Sequence, residues 1–351
     1  MTIRHPLHPS PADAARPGAA TYDVLTVGEA MVLFAAQAQG ALAEVEAFRR
    51  FSAGAELNVA IGLARLGLRV GYLSRLGDDA FGRFLAGVLE REGIARELVA
   101  VDATQSTGFM LKSLAENGAD PAIEYFRRGS AASRMDVREL ARVSGRRARH
   151  LHLTGITPAL SPGCRELVFR LARNARAEGC VVSFDPNLRP RLWPSRAEMV
   201  DTLEGLAAQS DLVLPGLAEG RLLTGLEHPE DIASHYLERG AEAVAIKLGA
   251  AGAYCASSEG AAYVPGVAAG RVVDTVGAGD GFAVGVISAL LEGQSLEDAA
   301  RRGNAIGARV VQFPGDCDGL PTRAELQAEQ RATASSSPAR SRPPRVRRST
   351  A

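Results

Sequence analysis

The stretch DTVGAGDG, residues 274–281, follows the β-branched pair Val272-Val273 and leads into the apolar run 282–287. This order predicts a strand, a tight glycine turn and a helix that carries Asp280 in its first turn. The first N–H groups of a helix have no intrahelical acceptor, and glycine lets such a backbone approach a phosphate closely. The stretch therefore predicts an anion-binding turn in an α/β fold.

Asp280 is poorly suited to be a phosphate ligand, because its side chain is itself negative. Phosphoryl transfer requires a group that accepts the proton of the attacking hydroxyl, and a carboxylate beside a phosphate-binding turn can do this. We therefore interpret Asp280 as a general base. On the turn alone, an ordinary β–α connection with Asp280 as a helix cap is the alternative.

The composition is that of a globular protein. The chain has 351 residues, 46% hydrophobic and 23% charged, which predicts one large domain or two ordinary ones. Its 40 basic residues balance its 40 acidic ones, so the net charge does not indicate a polyanionic partner. There is neither a secretory signal pattern nor a run of about 18 apolar residues, and the four cysteines show no paired spacing. We expect a cytoplasmic protein without a membrane span, a disulfide or a zinc site.

Most of the chain alternates between strand patterns and helical patterns. Strand 23–27 comes first, and a helix over 56–66 ends at Gly67. The alternation predicts a doubly wound, mostly parallel sheet sandwiched by helices, with ligands at the carboxyl ends of the strands. The next predicted strand is 70–73, and later ones, each followed by a loop and a helical pattern, are 150–153, 181–184, 212–214 and 244–248.

Residues 31–52 and about 105–130 interrupt this alternation with short patterns of period two. Tyr125 and Arg127, for example, lie on one face of a predicted strand. We interpret both segments as a small β-sheet lid over the substrate end of the main sheet; two surface hairpins are the alternative. The strand edges of such a lid are also where a homo-oligomer would form.

The two ends of the chain differ from the domain between them, which we place at 21–327. Residues 1–20 are rich in Pro, Ala and His without periodicity, which predicts a disordered leader. Residues 328–351 are rich in Arg, Ser and Pro, which predicts a disordered, solvated tail. Binding of nucleic acid or membrane by this basic tail is the lesser alternative.

The loop 185–193 follows a predicted strand and holds two polar side chains between prolines. The prolines fix the path of the loop, so Asn187 and Arg189 are held in place. An amide and a guanidinium both suit recognition of phosphate or carboxylate. A structural loop anchored by Trp193 is the alternative.

Two further glycine-containing segments give weaker signals. Lys247 precedes a glycine-rich loop, but neither it nor Lys112 completes the spacing of a P-loop, which excludes a Walker-type site. Gly54 lies in the turn before the first helix, and Asn58 lies one turn later. An asparagine there is either a helix cap or a hydrogen-bond partner for a polyol.

Together these motifs resemble those of the ribokinase-like (PfkB) sugar kinases over about residues 22–326. GAELN at 54–58 with GDD at 77–79 is similar to the N-terminal signature of that family, and 274–281 is similar to its C-terminal one. Within the family the chain resembles the 2-dehydro-3-deoxygluconate kinases, through YFRRGSAAS at 125–133, FDPNLRPRLW at 184–193 and GDCDGLP at 315–321.

The resemblance implies the ribokinase-like fold and ATP-dependent phosphorylation of the terminal (C6) hydroxyl of 2-dehydro-3-deoxy-D-gluconate. It implies ATP and Mg²⁺ as cofactors and leaves open whether a monovalent cation is required. The implied roles are catalytic base for Asp280; anion hole for Gly277, Ala278 and Gly279; substrate binding for Gly54, Asn58, Tyr125, Arg127, Arg189 and Asp316; and nucleotide binding for Asn187, Lys247, Gly249, Gly252, Gly277 and Gly279.

Glu219 marks a departure from the family pattern. Many members have Asn-x-x-Glu after the strand equivalent to 212–214, where this chain has Gly216-Leu217-Ala218-Glu219. Glu219 is still expected to organise Mg²⁺ through water, but the missing amide leaves the metal geometry open.

Arg127 and Arg189 favour an acid substrate. A substrate carboxylate gives one or both of them a partner, whereas a neutral sugar gives them none; Arg189 facing ATP is the alternative. Two other functions stay open at this point. They are another PfkB-type kinase, for 5-dehydro-2-deoxygluconate, fructose or ribose, and a non-catalytic sugar-binding regulator.

Overall fold

The computed structural model describes residues 21–114 and 121–336, so the predicted leader 1–20 lies outside the described residues. The strands in chain order are β1 (Tyr22–Val27), β2 (Met31–Ala36), β3 (Phe48–Ala53), β4 (Val70–Gly77), β5 (Val99–Asp102), β6 (Phe109–Lys112), β7 (Ile123–Phe126), β8 (Ala148–Thr154), β9 (Val181–Asp185), β10 (Leu212–Val213), β11 (Ala243–Lys247), β12 (Gly252–Ser257) and β13 (Gly260–Pro265). The helices are α1 (Ala55–Arg65), α2 (Ala80–Arg91), α3 (Leu140–Val143), α4 (Thr157–Leu160), α5 (Pro162–Ala177), α6 (Arg196–Ala207), α7 (Leu217–Thr224), α8 (Pro229–Glu238), α9 (Ala278–Leu291), α10 (Leu296–Val310) and α11 (Arg323–Ser336).

The main sheet has the strand order β13-β12-β11-β10-β9-β8-β1-β4-β5. All neighbours from β11 through β5 pair in parallel, and β12 and β13 add an antiparallel hairpin at one edge. The predicted doubly wound, mostly parallel sheet is therefore confirmed.

Helices cover both faces of this sheet. On one face, apolar side chains of β1 and β4 pack with α1, α2, α9 and α10 around Leu57, Val284 and Ile306. On the other face, β8, β9 and β11 pack with α5, α6 and α8 around Phe184 and Leu203. Strands buried on both sides read as continuous apolar runs, as 244–246 does.

β2, β3, β6 and β7 form a separate, smaller sheet in the order β3-β2-β6-β7. β2 pairs antiparallel with β3 and parallel with β6, and β6 pairs antiparallel with β7. The strands within the predicted segments 31–52 and 105–130 thus meet in a single sheet instead of two separate hairpins. Within β7, Tyr125 and Phe126 are 42% and 47% exposed.

Two sequence-based predictions of secondary structure are wrong. Val272-Val273 is irregular, because the N–H groups of Val273 and Asp274 both donate to Val311 O, at the end of α10, at 2.8 and 3.1 Å. Strand 244–248 is followed by a hairpin and not by a helix, since Gly252, at φ 108°, reverses the chain into β12. The turn that begins α9 is therefore entered from a loop.

The C-terminal boundary also differs from the prediction, because α11 continues to Ser336, beyond the expected tail start at 328. Its sequence is rich in Ala, Glu and Gln, which favour helix. Arg309 on α10 pairs with Glu325 at 2.8 Å and with Glu329 one turn further. Residues 337–351 lie outside the described part, and within that part no helix is both long and apolar enough to span a bilayer.

Candidate active site

A pocket of about 290 Å³ lies between the carboxyl ends of the main-sheet strands and the small sheet. It brings together most of the site residues predicted from sequence: Gly54, Asn58, Tyr125, Arg127, Asn187, Arg189, Glu219, Lys247, Gly277, Gly279, Asp280 and Asp316. Among the other lining residues, which the sequence did not single out for the site, are Met31, Met110 and Ile123 of the small sheet.

Three predicted site residues do not line this pocket. Ala278 is the first residue of α9, and only its backbone is available to the turn. Gly249 and Gly252 form the turn between β11 and β12, with φ of 61° and 108°. A Cβ on Gly252 would lie 2.1 Å from Val264 O. The close packing of the hairpin therefore accounts for the glycine at this position.

Asp280 lines the pocket from the first turn of α9 and is 8% exposed. Its Oδ2 accepts a hydrogen bond from Asn58 Nδ2 at 2.7 Å, and Asn187 Nδ2 is 3.4 Å from its Oδ1. Burial, together with the nearby Asp185 and Asp316 carboxylates, raises the pKa of Asp280 from 3.8 to about 7. A carboxylate in this state is suited to accept a proton near neutral pH.

The turn before Asp280 depends on Gly277, which is in the left-handed region at φ 85° and precedes the first helical residue. A Cβ there would lie 2.7 Å from Asp316 O, so only glycine fits. The N–H groups of Gly279 and Asp280 belong to the first helical turn, where no intrahelical acceptor is available. The turn therefore presents backbone donors to the pocket, as an anion requires.

Cys317, which the sequence analysis did not assign to the site, orients Asn58. Its buried Sγ donates to Asn58 Oδ1 at 2.9 Å, which directs the amide Nδ2 toward Asp280. Burial raises the pKa of the Cys317 thiol well above its ordinary value, so the thiol keeps its proton. No local pattern signals this contact, because Asn58 and Cys317 are separated by 259 residues.

Lys247 Nζ lies 2.6 Å from Asp185 Oδ2 at the end of β9. Burial raises the pKa of Asp185, against the opposing effect of Lys247. Burial lowers the pKa of Lys247, but Asp185 and Glu219 more than offset this and hold it above its ordinary value. Asp185 was overlooked as a site residue, although its place directly after the predicted strand 181–184 was a usable signal.

Glu219 is held by two backbone donors. Its Oε2 accepts from Gly216 N at 2.7 Å, and its Oε1 accepts from Leu188 N at 2.8 Å. Among the described residues, no group of three or more His, Cys, Asp or Glu side chains could enclose a metal ion. The Glu219 carboxylate is fixed by these two donors at the edge of the pocket, where it suits a hydrated Mg²⁺, since Mg²⁺ keeps several waters in nucleotide sites.

The loop after β9 places Asn187 and Arg189 in the pocket. Asn187 is at φ 41°, and its N–H donates to Asp185 Oδ1 at 3.1 Å. A non-glycine residue at positive φ is uncommon, although asparagine tolerates it better than most. Arg189 Nη1 donates to Leu188 O at 2.9 Å, and within residues 21–114 and 121–336 no carboxylate pairs with its guanidinium.

The expectation that Arg127 would have no partner when the substrate is a neutral sugar is wrong, because Arg127 pairs with Glu29. Its Nε donates to Glu29 Oε2 at 2.6 Å, and its Nη2 is 2.5 Å from the same oxygen. Glu29 is 1% exposed and also accepts a hydrogen bond from Ser130 Oγ. Glu29 lies two residues after β1, and sequence reasoning missed it because its partners are 98 and 101 residues away.

Comparison with known proteins agrees with this geometry. Residues 22–323 match the family described as "pfkB family carbohydrate kinase". The chain belongs to this family of carbohydrate kinases.

Three relatives illustrate the similarity. The 2-dehydro-3-deoxygluconokinase of Bacillus subtilis (strain 168) is 49% identical over 305 residues, 87% of this chain and 94% of that protein. The crystal structure of a PfkB protein from Polaromonas sp. JS666 is 50% identical with a TM-score of 0.80, covering 88% of this chain and all of that one (100%). A fructokinase from Vibrio cholerae O395, in its fructose, ADP and calcium ion bound form, is 27% identical with a TM-score of 0.77, covering 87% and 97%.

Proposed function

We propose that this carbohydrate kinase phosphorylates the terminal (C6) hydroxyl of 2-dehydro-3-deoxy-D-gluconate with ATP. The observation that carries the proposal is the buried Asp280 carboxylate beside the backbone donors of the α9 turn, in the pocket that Arg189 lines. The 49% identity to a 2-dehydro-3-deoxygluconokinase supports the same substrate. A cytoplasmic location fits a kinase that uses ATP and a small sugar acid.

The residues of the pocket support an in-line transfer. Asp280 accepts the proton of the attacking hydroxyl, while Asn58 holds the carboxylate in place. We assign stabilisation of charge on the transferring phosphoryl group to the N–H groups of Gly277, Gly279 and Asp280. The expected donor Ala278 is left out because its N–H already donates to Thr275 O at 3.4 Å. Lys247 is assigned to the nucleotide. When bound, Mg²⁺ would neutralise phosphate charge, and Glu219 would hold one of its waters.

Substrate contacts are proposed for Gly54, Asn58, Tyr125, Arg189 and Asp316. The small sheet supplies Tyr125 and covers the pocket from one side, so we assign it the role of a lid that excludes water. Its exposed β7 side chains, Tyr125 and Phe126, are consistent with closure over a substrate or with pairing between subunits. A homo-oligomer through this sheet stays a prediction.

The decisive test of substrate is a panel of purified sugars assayed for ADP release with ATP and Mg²⁺. The panel contains 2-dehydro-3-deoxygluconate, 5-dehydro-2-deoxygluconate, fructose and ribose. We expect the highest kcat/KM for the first, with the phosphate located at C6 by NMR. Preference for a neutral sugar would refute the proposal, and absence of turnover with every sugar would favour a sugar-binding regulator.

Arg189→Ala is expected to lower kcat/KM for the sugar acid by about 10- to 150-fold, because a charge-assisted hydrogen bond is worth roughly 1.5–3 kcal/mol. Arg189 is chosen over Arg127 because Arg127 already pairs with Glu29. The measurement compares kcat/KM for the acid and for fructose in both proteins. Arg191→Ala, two residues away and exposed, is the matched control. Equal losses on both sugars would assign Arg189 to ATP instead.

The pH profile of kcat/KM is expected to fall about tenfold per pH unit on the acidic side, below the pKa of Asp280, which burial raises to about 7. The reason is that a protonated carboxyl group cannot accept the hydroxyl proton. The pKa of Asp280 is 3.8 in the unfolded chain and about 7 in the folded protein. The free energy of unfolding therefore falls as the pH rises between these two values. Initial rates at constant ionic strength check the profile. A flat profile down to pH 5 would contradict this assignment.

A further inference from the structure

Lys112 ends β6 of the small sheet, yet its side chain reaches the loop that precedes α9. Its Nζ lies 2.6 Å from Asp274 Oδ2, 2.9 Å from Asp316 Oδ1 and 3.1 Å from Pro314 O. The lysine side chain is only 3% exposed. Three oxygen atoms therefore take the three N–H donors of the ammonium group.

These oxygen atoms belong to the two segments that shape the anion-binding turn. Asp274 Oδ1 accepts a hydrogen bond from Val276 N at 2.9 Å, so this carboxylate holds the start of the turn. On the other side, the Asp316 carbonyl packs against Gly277, where an added Cβ would lie at 2.7 Å. The ammonium group of Lys112 thus connects the small sheet, by ion pairs to Asp274 and Asp316, to both sides of the turn.

The charge of Lys112 balances carboxylates that are themselves out of water. The Asp274 and Asp316 side chains are 7% and 4% exposed, and a buried carboxylate without a cation is strongly unfavourable. Burial lowers the pKa of Lys112, but Asp316 and Asp274 more than offset this and hold it above its ordinary value. The ammonium is therefore present at neutral pH.

We propose that Lys112 is a positioning residue that serves as a built-in monovalent cation for the anion-binding turn, so that catalysis requires no free potassium or ammonium ion. Three oxygen atoms from two buried carboxylates and a carbonyl form the kind of site that a small monovalent cation would occupy. The tethered ammonium already fills it. The proposal rests on the proposed kinase function and extends it to the salt requirement of the same site.

Removal of the Lys112 ammonium group should make activity depend on a free monovalent cation, which the natural chain does not need. Without the Lys112 side chain, two carboxylates face an oxygen-lined space with excess negative charge, and a free cation of similar size to ammonium can enter it. Lys112→Ala is expected to lower kcat by about 10²-fold in tetramethylammonium chloride, since a displacement of about 1 Å at a catalytic group has a cost of this order.

The experiment compares kcat with 2-dehydro-3-deoxygluconate and MgATP in tetramethylammonium, potassium and methylammonium chloride at equal ionic strength. The wild-type protein is expected to work equally well in all three salts. Lys112→Ala should recover at least about tenfold in potassium or methylammonium. Lys112→Arg, which keeps a tethered charge, and Arg128→Ala, an exposed cation of the same region, should show no such recovery.

A second measurement does not depend on turnover. The melting temperature of Lys112→Ala without substrates, followed by circular dichroism, should rise in potassium relative to tetramethylammonium, while wild type and Lys112→Arg do not respond. If the wild type phosphorylates no sugar acid in any salt, the proposed function fails, and melting alone decides the role of Lys112. If Lys112→Ala does not fold, Lys112→Gln replaces it in both measurements. Potassium activation of the wild type, or a variant indifferent to the cation in both measurements, would overturn the proposal.

Discussion

Asp280→Asn is expected to lower kcat for the sugar acid by about 10²–10⁴-fold, the range that a positioned general base contributes. Asparagine keeps the shape of the side chain, and its carbonyl oxygen can still accept the hydrogen bond from Asn58. It cannot take the proton of the attacking hydroxyl at neutral pH. Steady-state kinetics with coupled detection of ADP measure the change.

The same variant separates loss of chemistry from loss of fold. Burial raises the pKa of Asp280 to about 7, so the ionised side chain destabilises the folded protein above that pH. Asp280→Asn should therefore melt at a higher temperature than the wild type at pH 8, with a smaller difference at pH 5. Asp318→Asn, an exposed carboxylate outside the pocket, is the matched control and should keep normal turnover. Near-normal kcat in Asp280→Asn would show that Asp280 is not the general base.

Arg127→Ala is expected to lower the free energy of unfolding by about 3–5 kcal/mol, the cost of breaking a buried ion pair by removing one partner. Among the described residues, Glu29, which is 1% exposed, would then keep its hydrogen bond to Ser130 and have no cation beside it. Urea denaturation at pH 7.5, followed by circular dichroism, measures the change.

Two further variants show whether the unpaired Glu29 is the cause. Arg128→Ala, the exposed neighbour, should change stability by no more than about 0.5 kcal/mol, as surface substitutions usually do. Arg127→Ala combined with Glu29→Gln should recover much of the loss, because the second change removes the uncompensated charge. If Arg127→Ala costs no more than Arg128→Ala, the ion pair does not contribute to stability.

The sequence was sufficient to predict the alternating architecture and most of the pocket. Glycine turns and apolar periodicity are local signals, and they located α1, the parallel strands and the turn before Asp280. The strand predicted at Val272-Val273 failed because its N–H groups donate to the end of α10. β-branched residues favour a strand only where a neighbouring strand is available to pair with them.

The partners of the site's polar side chains were not predictable from sequence. Arg127 was correctly expected to line the pocket, but its pairing with Glu29 depends on how the small sheet packs against β1. The orientation of Asn58 likewise depends on Cys317, which follows α10. Such pairs arise from tertiary packing, which leaves no periodic pattern in the chain.

The hydrogen bond between Asn58 and Asp280 joins residues that are 222 positions apart. As the chain leaves the ribosome, Asn58 emerges long before Asp280, and the loop that carries Asp316 and Cys317 comes later still. An incomplete nascent chain therefore has no assembled base and no closed anion hole, and it cannot consume ATP. Contacts of such long sequence separation also slow folding, so catalytic competence is among the last properties that this protein acquires during its synthesis.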